Sequence, residues 1–128
     1  MPMPQETETK IKQDLFSEIL TLEQNYSILD GYIAGKDYDI LTISTSIQAF
    51  KDSLSRASAY VLALYNLKGK RVNIPWDPLF TSLDYALATV SVSAPSKQKA
   101  AVKVILSMSK EQIMQVLSYF EALKESLK

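Results

Sequence analysis

The chain contains no cysteine and no histidine, and its 128 residues include only three glycines and five prolines. Each scarcity narrows what the protein can be. Without cysteine there is no disulfide framework, no thiolate nucleophile and no cysteine-based zinc site. Without histidine the side chain that titrates nearest neutrality is missing, and with it the commonest general base. Ser-His-Asp and Cys-His triads cannot be assembled, nor can a ferritin-like di-iron site built on Glu-x-x-His motifs. So few chain breakers leave room for long regular elements. Long hydrophobic runs are absent as well: no segment approaches the roughly 18–20 uninterrupted apolar residues that span a bilayer. The start, Met1-Pro2-Met3-Pro4 with Glu6 and Glu8 following, has neither the basic opening nor the apolar stretch of a signal peptide. These features predict a cytoplasmic protein with no membrane partner.

What is present describes a globular chain, 47% hydrophobic and 22% charged, of a size suited to one core. Formal net charge is zero but unevenly spread. Residues 1–40 hold eight acids against three lysines, residues 41–80 five bases against two acids, and residues 81–128 six lysines against four acids. Twelve lysines accompany only two arginines, so planar bidentate recognition of phosphate or guanine has few candidates.

The apolar spacing is helical throughout. Ile11, Leu15, Ile19, Leu22, Tyr26, Leu29 and Ile33 alternate steps of three and four, predicting a helix from about Thr9 to Ala34 after an extended or disordered segment 1–8. Asp30-Gly31 offers an early break and Gly35 the more natural stop. Ile40, Ile43, Ile47, Phe50, Leu54, Ala57, Val61 and Leu64 keep the same alternation without exception. They predict a second helix from about Asp39 to Lys68, roughly 40–45 Å long at 1.5 Å per residue. The short link between the two makes them antiparallel neighbours.

Asp77 suits an N-cap and Pro78 the first helical position of a third helix that carries Leu79, Leu83, Leu87 and Val90 inward. It should end near Ser91, with a short extended piece open at Val90–Val92. A fourth helix starts near Pro95-Ser96 and buries Ala101, Val102, Ile105 and Leu106. Ser109 and Gln112 have capping-box spacing, with Met108 and Ile113 placed for a hydrophobic staple, before a fifth helix built on Ile113, Val116, Leu117, Phe120, Leu123 and Leu127. The expected fold is all-α: a long antiparallel hairpin with three shorter helices packed on it, in a single domain over 9–128.

Several features raise the question of a site. The stretch Ala57–Leu67 is apolar almost all round, so either the shorter helices wrap it or one side, with Tyr60, Leu62 and Tyr65, meets a partner. Ser44, Thr45, Ser46, Ser53, Ser55 and Ser58 give the same helix a small-hydroxyl face, read here as a wet surface. Trp76, the sole tryptophan, either pins its proline-bracketed turn to the core or anchors a partner. Lys68, Lys70 and Arg71 follow the second helix, where cations also simply complement its dipole. Lys97, Lys99 and Lys103 sit instead at a helix start, where they oppose it. With Ser96 and free backbone N–H groups they could hold a phosphate or carboxylate. Asp37 and Asp39 lack the ligand spacing of a calcium loop, and there is no Walker glycine loop or dinucleotide fingerprint. No metal and no cofactor is expected. The favoured function is a non-enzymatic interaction or assembly subunit in a homo- or hetero-oligomer, with a protein partner or a second copy. The alternative is a helical nucleic-acid-binding subunit gripping phosphates through the lysine clusters.

Overall fold

A computed structural model describes residues 5–67, 76–92 and 95–127, with the side chains of 67, 91–92 and 95–97 left aside. The chain forms helices α1 (Gln5–Ile33), α2 (Ile40–Leu67), α3 (Asp77–Val92), α4 (Pro95–Met108) and α5 (Lys110–Ser126). Among the described residues there is no strand, so the extended piece considered at Val90–Val92 is helical.

The α1–α2 hairpin is the spine. Leu15, Ile19, Leu22 and Leu29 of α1 and Ile43, Ile47, Phe50, Leu54, Ala57 and Val61 of α2 are completely buried. Each of these side chains except the small Ala57 contributes about 1.5–3 kcal/mol of transfer free energy. Polar ties register the pair. Arg56 points two guanidinium nitrogens at Glu18 Oε1, Nη2 at 2.9 Å and Nε at 3.0 Å. Asn25 Nδ2 donates to Ser53 Oγ at 3.4 Å.

The expected boundaries shift in instructive ways. α1 begins at Gln5 rather than Thr9, so residues 5–8, expected to be extended, are helical. Glu6 and Glu8 in the first turn favour that extension, because they face the positive end of the helix dipole. Gly31 does not break α1. It is buried, and a Cβ there would come within 3.0 Å of the Tyr38 hydroxyl, so its lack of a side chain admits Tyr38. The stop is Gly35, with φ at 111°. Its N–H bonds to Tyr32 O at 3.1 Å and Lys36 N–H bonds to Gly31 O at 2.9 Å, a Schellman closure.

α2 opens on Asp39, whose Oδ1 accepts the Thr42 N–H at 2.6 Å. That hydrogen bond holds the Asp39 carboxyl below its usual range. A carboxyl whose folded pKa is depressed stabilises the fold above its unfolded pKa, and the gain is lost as pH falls through the folded value. Asp39→Asn therefore has the lower melting temperature near neutrality, and its gap from wild type narrows as pH drops below about 4. A gap of constant size across that range would show that the ionised cap contributes nothing.

α3 starts one residue before the expected position, because the Trp76 carbonyl already accepts the Phe80 N–H at 3.0 Å. Asp77 thus lies in the first turn instead of capping it. The capping box at Ser109 does not form. Ser109 has helical dihedrals (φ −92°, ψ −3°), makes no side-chain cap bond, and its hydroxyl donates back to Ile105 O at 3.0 Å. Its own N–H also reaches back, to Ile105 O and Leu106 O, so α4 runs into α5 with hardly a break. A capping box needs an extended N-cap residue, and the near-continuous helix denies it one. The staple fails with it: Ile113 is buried while Met108 points outward.

α3 and α4 form a second hairpin. α3 packs on α2, α4 on α1, and α5 on α1 and the end of α4. Among the described residues the shorter helices do not wrap α2 on every side, the first of the two alternatives for Ala57–Leu67: Ala59 is exposed and Leu62 remains 38% exposed. The hydroxyl face is only partly wet. Ser46 and Ser53 are buried, Ser46 with its hydroxyl on Thr42 O at 2.8 Å, while Thr45 and Ser55 are exposed.

Candidate interaction surfaces

Of the residues singled out for anion binding, Lys68, Lys70 and Arg71 lie outside the described residues, as do the side chains of Ser96 and Lys97. The two that are described have partners within the chain. Lys99 Nζ is 3.2 Å from Asp37 Oδ1, in the α1–α2 loop. Lys103 Nζ lies 5.9 Å from the centre of the Tyr32 ring, and the Tyr32 hydroxyl donates to the Lys99 carbonyl. Burial first, and the nearby Asp37 carboxylate second, push the Tyr32 phenol above its ordinary pKa. The opposition between these lysines and the start of α4 is thus met by the last turn of α1 and its loop. They fasten the second hairpin to the first.

The candidates at the far end of α2 divide. Trp76 is 9% exposed, its ring 5.0 Å from Phe120 and 5.4 Å from Tyr119, the latter edge-on at 72°. It pins the start of α3 onto α5 and is not an exposed anchor. Tyr60 and Tyr65 are half-buried against the core. Burial, with Tyr65 as the second cause, raises the pKa of the Tyr119 phenol. Among the described residues at this end, Leu62 is 38% exposed and Tyr119 37%.

A larger apolar surface lies on the outer side of α3 and α4, where sequence reading placed none. Tyr85 is 66% exposed, Val104 58% and Met108 79%. They form one continuous face. Thr81, Ser82, Tyr85, Ile105, Met108 and Ser109 enclose a hollow of about 290 Å³ between the helices. On the other flank of Met108, Ala100, Lys103, Val104 and Ser107 border a shallower one. The signal was present in the sequence: α4 carries Val104 beside Ile105, and α3 carries Tyr85 beside the inward Leu83 and Ala86, more apolar residues than one buried stripe can use.

A further groove of about 710 Å³ runs between α1 and α5, floored by Tyr26, Leu117 and Ala122 and rimmed by Glu23, Asp30, Glu121 and Glu125. Part of its charge is answered from within. Lys124 Nζ bridges Glu23 at 2.8 Å and Glu121 at 2.9 Å, and those hydrogen bonds raise the lysine's pKa. The Tyr26 hydroxyl donates to Asp30 at 3.3 Å. Among the described residues no acidic group has the make-up to hold a metal ion, and no helix is long and apolar enough to cross a membrane.

Comparison with known protein families, with curated proteins and with solved structures finds no match to this chain.

Proposed function

We propose that this chain is a non-enzymatic helical interaction or assembly subunit that works through the outer face of α3 and α4. The observation that carries the reading is the contiguous exposure of Tyr85, Val104 and Met108 around two hollows. Large apolar side chains scattered singly on a surface are ordinary, whereas several gathered on one face mark a contact site. Methionine and tyrosine at its centre suit the role, the one adaptable in shape and the other a large amphipathic contact. The missing histidine and cysteine favour binding over catalysis. The nucleic-acid reading has weaker support, since Lys99 and Lys103 are engaged by Asp37 and Tyr32.

The test is affinity capture of the tagged protein from its native cells, with an untagged copy co-expressed, run beside the variant Tyr85→Glu. The expected result is a partner, either another chain or the untagged copy, that is retained by the wild type, rebinds as a purified component and is lost with the variant. Tyr85 is exposed, so the variant should keep wild-type helicity and a stability within about 0.5 kcal/mol. Equal retention by a folded Tyr85→Glu would contradict the reading.

A further inference from the structure

We propose that the groove between α1 and α5 is a second docking site, and that its occupant is a lysine- or arginine-rich amphipathic helix of a protein partner. The groove is separate from the α3–α4 face, so this inference stands or falls independently of the reading above.

Charge sets the sign of the occupant. Glu23, Asp30 and Glu121 bring three carboxylates to the groove, and among the described residues Lys124 is the one ammonium that reaches any of them. Its side chain, 13% exposed, is shared between Glu23 and Glu121, so a single positive charge serves two acids. Asp30 is exposed, and the hydrogen bond it accepts comes from the neutral Tyr26 phenol. Three carboxylates less one ammonium leave two negative charges on the groove. A surface of that sign repels phosphate, nucleic acid and anionic lipid, and it attracts cations. Among the described residues the acids are not grouped so as to hold a metal ion, which directs the site to cationic side chains.

Shape sets the rest. Glu23 and Asp30 lie seven residues apart on one face of α1, roughly 10 Å along the axis, and the α5 wall from Leu117 to Glu125 runs roughly 12 Å. The groove is thus about two helical turns long. Its floor of Tyr26, Leu117 and Ala122 is apolar. A third helix laid along it seats its apolar stripe on that floor and carries its basic residues to the two rims, toward Glu23 and Glu121 on one side of a turn and Asp30 two turns on. A polyamine brings the charge without the stripe. An uncharged apolar helix covers the floor but draws the carboxylates out of water without a partner. The basic amphipathic helix meets both demands.

Fluorescence anisotropy of the full chain with a labelled synthetic helix of about 16 residues, leucines in one stripe flanked by lysines, tests the site. Binding should saturate, at a dissociation constant of about 1–100 µM. A peptide of the same composition in scrambled order should bind far more weakly. The double variant Asp30→Asn/Glu121→Gln, at two exposed positions, should keep its helical circular dichroism and lose about fivefold in affinity. Asp52→Asn/Glu111→Gln removes the same charge from exposed positions outside the groove and should bind as the wild type does. Tyr85→Glu should also bind normally, which keeps failure here distinct from failure of the α3–α4 reading. No saturable binding, equal affinity for the scrambled peptide, or equal loss in the two double variants overturns the proposal. Displacement of the peptide by spermine as readily as by the unlabelled peptide also overturns it, since the groove would then answer to charge alone.

Discussion

Replacing Phe50 by alanine should destabilise the protein by about 3–5 kcal/mol, a large part of the roughly 5–15 kcal/mol that holds a typical domain together. Phe50 is completely buried at the middle of the α1–α2 seam, its ring 6.3 Å from that of Tyr26. Truncation removes the ring from a site closed by both helices of the spine, and two long helices tied by Arg56–Glu18 cannot easily collapse into the space. Urea unfolding followed by circular dichroism gives the value. Phe50→Leu, which refills most of the volume, should lose markedly less. Leu41→Ala, at a 73% exposed position in the first turn of the same helix, should change stability by no more than about 0.5 kcal/mol. If the Phe50 and Leu41 variants were equally stable, the hairpin seam would not be the core.

Trp76→Ala should cost a comparable amount, about 3–5 kcal/mol, for a different reason. The indole joins the start of α3 to Tyr119 and Phe120 of α5, so it fixes two elements that are distant in sequence. Removing it frees that end of the bundle while leaving the α1–α2 seam intact. Trp76→Phe should recover much of the loss, since an aromatic ring can still pack edge-on to its neighbours. The same residue provides its own readout, as it is the only tryptophan. Its fluorescence in the native protein should lie to the blue of the unfolded chain and should shift red together with the loss of helical circular dichroism. A native spectrum already matching the unfolded one would mean that Trp76 is solvated and the turn unpinned.

The spine was legible in the sequence because its information is one-dimensional. Steps of three and four place one stripe inward, and every α2 position from Ile43 to Leu64 on that stripe is buried. Gly35 was legible for the same kind of reason, since a local closure needs a residue tolerant of positive φ. The Ser109 capping box failed because its pattern states only that a helix start is permitted. Whether the chain turns there depends on Ile105 and Leu106, whose carbonyls take the Ser109 N–H and keep the backbone helical. The lysines of α4 were legible as a mismatch, but their answer comes from Asp37 and Tyr32, more than sixty residues earlier. Periodicity carries no such long-range pairing. The α3–α4 face was missed because a helix with surplus apolar residues does not disclose which of them the fold leaves outside.

The claim that this outer face is covered when the protein does its work is tested most directly by oxidative footprinting of methionine. The purified chain is labelled when dilute, then compared with the chain in its native cell extract. Met108 should oxidise rapidly when dilute and be strongly protected in the extract, while Met114 on α5, 45% exposed and outside the hollows, should change little. Equal oxidation of Met108 in the two states would leave the face bare and contradict the claim.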